Sequence, residues 1–228
     1  MTMKQYLFIY ILLLLTSFDT QLNGSDNSVQ SRIQIARIQY SGGSDWYNDV
    51  SSIPNLCQFI RMHTNIDMAL DEAIVSLNEE RLFSYPILFI TGHGRISVTE
   101  HEADQLRKYL EKGGFLYADD DYGMDSHFRR MMDRVFPDNE WIELPFDHEI
   151  YHQHFHFHSG LPKIHEHDNK PPQGFGLFDN NGRLMVFYTV ETNLADGWAD
   201  ADVHHVPQIK REQALRMGLN IVVWALLN

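Results

Sequence analysis

The sequence has a single cysteine, no excess of positive charge and only one long apolar run. Because Cys57 is the only cysteine in 228 residues, no intramolecular disulfide can form. The 18 basic and 31 acidic residues give a formal charge of -13, and binding to a phosphate backbone requires a basic surface that this composition does not supply. We therefore expect neither a disulfide scaffold nor a nucleic-acid partner.

The one long apolar run lies at the N-terminus, where Lys4 precedes ten apolar residues, 6–15, and a polar stretch follows. Such a run is too short for a comfortable transmembrane helix, so the pattern predicts a signal peptide over residues 1–24. We expect an exported protein, periplasmic or secreted, with no stable membrane span after cleavage. An uncleaved N-terminal anchor is the alternative.

After this segment, strand and helix patterns alternate along the chain. The composition, 43% hydrophobic and 12% aromatic, is that of an ordinary globular protein. The apolar runs 86–91 and 115–118 predict buried strands, and a capping box at Thr99 and Glu102 predicts the helix between them. This crossover predicts an α/β fold with a largely parallel sheet, in a single domain over residues 32–228. The other expected elements are strands at 33–40, 66–69 or 73–77, and 184–189, and helices at 54–63 and 209–227.

Polar residues follow two of the expected strands. The strand 115–118 continues directly into Asp119, Asp120 and Asp121, and the preceding strand ends in Thr-Gly-His-Gly with His93 at its centre. Ligands of parallel sheets bind at the carboxyl ends of the strands, so we expect these four side chains to share a rim and to be the catalytic candidates. The alternative is ordinary turn chemistry, in which the aspartates cap a helix or face solvent and His93 bonds to backbone.

Seven of the thirteen histidines lie within residues 147–168. Four of them alternate with other residues and would line one face of a strand: His152, His154, His156 and His158. A half-exposed polar edge strand is favoured here over a metal-binding face, because one strand rarely closes a metal site. The other candidate metal ligands are His165 and His167 with Asp119 and Asp121, and a solvated turn is the alternative for the two histidines.

Two loops combine acidic groups with large aromatic rings. Asp45 and Trp46 follow the first strand, and Glu191 and Trp198 follow the strand 184–189. An aromatic ring beside a carboxylate suits a small polar ligand, because the ring covers a face and the carboxylate orients a hydroxyl or ammonium group. We expect these four residues, with Lys163, to bind a ligand. A loop held in place by its tryptophan is the alternative.

Several longer stretches together resemble the bacterial family catalogued as domain of unknown function 4159. They include "YSGGSDWYNDVSSIPNL", "TGHG", "LEKGGFLYADDDYGMD", "GLPKIHEHD" and "RMGLNIVVWAL", and the resemblance covers about residues 33–227. It implies a fold similar to class I glutamine amidotransferases, a flavodoxin-like three-layer sandwich, in a protein that is often exported. The resemblance brings neither an activity nor assigned catalytic residues.

The related folds that use a nucleophile do not fit this sequence. Class I amidotransferases place their cysteine in a Gly-x-Cys-x-Gly turn, and Cys57 has no such turn. Caspase-like peptidases are similar at "ILFITGHG", where their base falls on His93, but their cysteine position holds Asp119 to Asp121. No Gly-x-Ser-x-Gly motif occurs either.

Two hypotheses of function follow. In the first, the aspartates 119–121 with His93 and His165 or His167 hold a divalent metal ion that activates water or polarises a carbonyl or phosphoryl oxygen, as in a hydrolase. In the second, the chain is a non-catalytic exported module that binds a ligand or partner protein at the same rim.

Overall fold

A seven-stranded sheet lies at the centre of the computed structural model, which describes residues 32–228. The strands are β1 (Ile35–Gln39), β2 (Ala73–Ser76), β3 (Ile87–Gly92), β4 (Phe115–Asp120), β5 (Ile142–Glu143), β6 (Gln173–Phe178) and β7 (Leu184–Val190). The expected signal peptide, 1–24, lies outside the described residues. Within 32–228 no helix has the length and apolarity needed to cross a membrane.

The sheet is mostly parallel, with the strand order β2-β1-β3-β4-β7-β6-β5. The first five strands in this order run parallel to one another, β6 runs antiparallel to β7, and β5 runs antiparallel to β6. The prediction of an α/β fold with a largely parallel sheet is therefore confirmed. Of the two positions considered for the second strand, the structure places it at β2.

Helices cover both faces of the sheet. They are α1 (Ser52–His63), α2 (Glu100–Glu111), α3 (Asp125–Val135), α4 (Leu194–Trp198) and α5 (Gln208–Leu227). In β3, Ile87 and Phe89 pack toward α1 and α5, and Leu88 and Ile90 pack toward α2 and α3. This double burial explains why the strand is apolar at consecutive positions.

The crossover from β3 through α2 to β4 sets the position of the aspartates. The predicted capping box is confirmed: the Thr99 hydroxyl accepts from the Glu102 amide, and the Glu102 carboxylate accepts from the Thr99 amide. The two strands pair in register, with Thr91 beside Asp119. The polar ends of β3 and β4 therefore lie at the same edge of the sheet.

The predicted edge strand over residues 152–158 is wrong. This segment follows a short 3-10 turn, Glu149–Tyr151, and forms bends and turns without strand pairing. The side chain of Asn220, buried in α5, accepts hydrogen bonds from the amides of His154 and Phe155 and donates one to the Phe155 carbonyl. The Asn220 side chain thus makes the backbone hydrogen bonds that a neighbouring strand would make if this segment were part of the sheet.

Candidate functional site

The loops that follow β1, β3, β4 and β7 meet at the carboxyl edge of the sheet. β1 pairs with β2 on one side and with β3 on the other, although β2 and β3 both follow it in the chain. Connections that leave a parallel sheet in opposite directions open a crevice at this point, where ligands of such folds bind. The titratable residues of the rim come from all four loops.

The three consecutive aspartates point in different directions, as alternation along a strand requires. Asp119 is completely buried. Its carboxylate accepts hydrogen bonds from the Thr189 hydroxyl, at 2.6 Å, and from the Ala195 amide, at 2.8 Å. Burial raises the pKa of Asp119 to about 7, although both hydrogen bonds favour the ionised form. Asp119 thus links β4 to β7 and α4. Its carboxylate oxygens are occupied by these hydrogen bonds, so it does not serve as the metal ligand that the sequence predicted.

Asp120 lies on the opposite face, next to α3. Its carboxylate accepts a hydrogen bond from the Met124 amide at 2.8 Å, and burial raises its pKa to about 6. The residue therefore closes the turn before α3, which is the capping role that the sequence left open as an alternative. The structure does not place it with His93.

Asp121, His93 and Asp45 do come together. The Asp45 carboxylate accepts a hydrogen bond from the backbone amide of His93 at 2.7 Å and lies 2.9 Å from its Nδ1. The Nε2 of the same ring lies 3.4 Å from Asp121 Oδ2. Burial lowers the pKa of His93, but the charges of Asp121 and Asp45 outweigh this effect and raise it overall. The predicted rim therefore exists for His93 and Asp121, with Asp45 orienting the imidazole.

The second group of the rim joins Asp49 of the β1 loop, Asp196 of α4 and His204 before α5. One ligating atom from each residue lies within 4.8 Å of the other two. His204 Nε2 is 2.5 Å from Asp49 Oδ1 and 3.6 Å from Asp196 Oδ1. His165 extends the group, because its Nδ1 lies 2.5 Å from Asp196 Oδ2. A carboxylate pair with imidazoles is a ligand set that divalent transition metals accept.

The electrostatics of this group favour a cation. Burial raises the pKa of Asp196, and the charges of Asp121 and Asp49 raise it further, while His204 offsets part of the effect. Asp196 Oδ1 is buried and has no hydrogen-bond partner. Throughout residues 32–228, neither Asp49 nor Asp196 forms an ion pair with a lysine or arginine. The residues thus fit a bound metal ion, which would neutralise the pair and satisfy the orphaned oxygen.

The backbone around the group adopts uncommon conformations. Asp49, Glu191, Asn193 and His205 have φ angles between 52° and 59°, in the left-handed region. Asn193 uses its side-chain amide to donate a hydrogen bond to Asp121 Oδ1 at 2.9 Å. Left-handed non-glycine residues cluster at functional sites, where the surrounding structure holds them in place.

Lys163 and Glu191, both predicted to bind a ligand, contact each other. Their side chains form an ion pair at 2.7 Å, and Lys163 also donates to the Lys170 carbonyl at 2.8 Å. His167 stacks on Tyr122 with ring centres 4.5 Å apart. The ring of His167 also lies edge to face beside that of His165, with ring centres 6.2 Å apart, so the two predicted metal ligands are neighbours.

The two tryptophans predicted to contact a ligand have different surroundings. Trp198 is 1% exposed, packs against Phe89 and Tyr117, and donates its indole N–H to the Ala214 carbonyl. It is a core residue, so the prediction of a ligand contact does not fit its position. Trp46 is half-buried beside the α2 and α3 layer.

Sequence reasoning missed the group of Asp49, Asp196 and His204. Asp49 and Asp196 lie in the two acidic and aromatic segments that the sequence predicts to bind a ligand, but the acidic residues predicted there are Asp45 and Glu191. A usable signal was the pair His204-His205 after the acidic stretch 200–202. Paired histidines beside carboxylates are a common source of metal ligands.

A family model matches most of the chain. The family model described as "Domain of unknown function (DUF4159)" matches residues 34–226, and it covers every residue of the rim. No curated protein matches the sequence.

Proposed function

We propose that this chain, which belongs to the family described as Domain of unknown function (DUF4159), is an exported metal-dependent enzyme of the hydrolase type. The observation that carries this proposal is the buried pair Asp49 and Asp196 with His204, in which Asp196 Oδ1 lacks a partner. Two buried carboxylates without a cation are costly, and a divalent ion removes that cost.

The ligand types favour a first-row transition metal over magnesium or calcium. Imidazole suits zinc, copper, iron and nickel, whereas magnesium and calcium take oxygen ligands almost exclusively. Asp49, Asp196 and His204 are the proposed ligands, and His165 either completes the set or orients Asp196. A metal ion bound there supplies a Lewis acid that lowers the pKa of a water or polarises a carbonyl or phosphoryl oxygen.

His93 is the proposed proton-transfer residue. Its Nδ1–H is held by Asp45 at 2.9 Å, so Nε2 is the atom that exchanges protons at the rim. Asp121 couples the two groups, since its charge raises both the pKa of His93 and that of Asp196. This pairing of an oriented imidazole with a metal group supports hydrolysis without a covalent nucleophile.

A flavodoxin-like, amidotransferase-like sandwich is the proposed fold type. The parallel part of the sheet, β2-β1-β3-β4-β7, follows the 2-1-3-4-5 order of flavodoxin-like proteins. The amidotransferase chemistry itself has no support, because Cys57 is fully buried and burial raises its pKa to about 12. A thiolate is therefore not available at neutral pH.

The alternative is a non-catalytic exported module that binds a ligand or partner protein. A cleft of about 430 Å³ supports it, on the side of the rim next to α3. Its lining combines carboxylates with aromatic and amide groups, among them Asp120, Tyr122, Gln173, Phe175 and Glu191. Such a lining suits a small polar ligand.

Metal-dependent thermal melts test the proposal. The wild-type protein, stripped with chelator, should melt at a higher temperature when zinc or manganese is added, because an ion that binds only the folded state stabilises it by about 2.7 kcal/mol at 100 times its Kd. Asp49→Asn and His204→Asn should each reduce this rise. His205→Asn is the matched control, since it changes the adjacent exposed histidine and should keep the rise.

The outcomes separate the two hypotheses. The absence of any shift in wild type with zinc, manganese, magnesium or calcium would rule out the metal site. A metal-dependent shift together with hydrolysis of a chromogenic ester, amide or phosphate ester that His93→Gln abolishes supports the enzyme. A metal-dependent shift in melting temperature without any hydrolysis would favour the non-catalytic binding module.

A further inference from the structure

Three of the four alternating histidines form a triangle on the surface, although their segment is not a strand. The ring centres of His152, His156 and His158 are 5.7, 5.4 and 5.9 Å apart in the three pairings. The fourth, His154, instead packs its ring edge against Phe155. The triangle lies on a different loop from the Asp49, Asp196 and His204 group.

The loop that carries the triangle is anchored from within. Phe155 and Phe157 pack against the hydrophobic core, and the histidines next to them, His154, His156 and His158, are exposed. Asn220 makes three hydrogen bonds to the backbone of residues 154 and 155, and the Phe157 amide donates to the Tyr151 carbonyl. The rings therefore project from a fixed backbone, which lowers the entropy cost of holding them together.

One ring already has the hydrogen bond that a metal-binding histidine usually makes. His152 Nε2 lies 2.9 Å from the Phe146 carbonyl oxygen, which accepts its N–H. The lone pair is then on Nδ1, the remaining nitrogen. A carbonyl acceptor of this kind fixes the tautomer and ring orientation of histidine ligands.

We propose that His152, His156 and His158 bind one divalent transition-metal ion, such as zinc, copper or nickel. A tetrahedral ion with metal–nitrogen bonds of about 2.0–2.1 Å places its ring centres roughly 5 Å apart. The observed ring-centre spacings of 5.4–5.9 Å are longer, and the ring nitrogens do not yet all lie within 4.8 Å of one another. The rings lie within 16–37° of parallel, so closing around an ion requires them to rotate, which side chains as exposed as His156 and His158 do readily.

The class of metal ion that this site takes follows from the chemistry of its ligands. All three are imidazoles, which select zinc, copper and nickel and give little affinity for magnesium or calcium. Three protein ligands leave at least one coordination position open to water or to a group on another molecule. The site is therefore accessible from solvent, unlike the buried carboxylate pair at the rim.

Titration calorimetry with zinc chloride tests this site on purified protein that carries no histidine tag. His156→Ala and His158→Ala should each lower the affinity of one binding event at least tenfold. His154→Ala is the matched control in the same loop and should leave that event unchanged. Lowering the pH from 7.5 to 5.5 should weaken it, because protons compete for the imidazoles.

The Asp49→Asn protein separates this proposal from the proposed function. The zinc-binding event that is lost in His156→Ala should persist in Asp49→Asn, whether or not the Asp49, Asp196 and His204 group also binds metal. Electron paramagnetic resonance of the copper-loaded Asp49→Asn protein should show coupling to three nitrogens. Equal losses in His154→Ala and His156→Ala, or no zinc binding by Asp49→Asn, would overturn the proposal.

Discussion

The protonation of Asp119 can be tested through the pH dependence of stability. Asp119 is completely buried, with its two carboxylate oxygens bonded to the Thr189 hydroxyl and the Ala195 amide. Asp119→Asn keeps the shape and the acceptor for the amide, while its new NH2 donates to the hydroxyl oxygen. The substitution therefore removes the ionisation and changes little else.

The magnitude follows from the raised pKa. Burial raises it from the ordinary 3.8 to about 7, so the folded state keeps a proton that the unfolded chain releases between about pH 4 and 7. The proton on Asp119 therefore makes its full contribution to the free energy of unfolding below pH 4, and this contribution is lost as the pH rises through 7. At about 1.4 kcal/mol per pH unit, ionisation costs the folded state about 4 kcal/mol at pH 8.

Urea denaturation of both proteins from pH 4.5 to 8, in the presence of chelator, measures this cost. The free energy of unfolding of Asp119→Asn should rise relative to wild type by about 3 kcal/mol across this range. Asp138→Asn is the control, because Asp138 is exposed and should give a flat difference. A flat difference for Asp119→Asn as well would refute the assignment of a proton to the buried carboxyl.

Four further predictions rest on single features. Cys57→Ala should leave metal binding and any activity intact and cost about 1–2 kcal/mol in urea denaturation, whereas loss of function at unchanged stability would restore thiol chemistry. Asp45→Asn should lower the pKa of His93 toward its ordinary value, seen by NMR titration of the imidazole, because it removes a charge and a hydrogen-bond acceptor; an unchanged pKa would contradict the orienting role. Asn220→Ala should cost about 3 kcal/mol by leaving three backbone groups unpaired, and a near-zero cost would show that the loop 152–158 is held otherwise. A fusion of residues 1–30 to a reporter active only outside the cytoplasm should be active, and a silent reporter would refute export.

Local patterns in the sequence were enough to predict much of the framework. The consecutive apolar residues of β3 and β4 and the capping box at Thr99 involve neighbours in the chain, so they can be read without the fold. The position of Asp121 and His93 at one edge follows from the parallel crossover. The rim between these two residues was therefore predictable.

The partners of the buried groups depend on tertiary structure. Asp119 lies in β4 and Asp121 follows the end of that strand, two residues later. The Asp119 carboxylate accepts hydrogen bonds from Thr189 and Ala195, whereas Asp121 faces His93. The group of Asp49, Asp196 and His204 joins the loop after β1 to a segment that follows β7, about 150 residues later in the chain. No local pattern contains these contacts, because they depend on strand register and on which loops the sheet brings together.

The histidine segment shows the same division. The sequence by itself placed four histidines close together in the chain, but only three of them group in space, and His154 packs against Phe155 instead. Whether the segment became a strand depended on what satisfied its backbone, and Asn220, more than sixty residues away, does so from within α5. Backbone hydrogen bonds must be satisfied somewhere, but only the packed tertiary structure decides which group satisfies them.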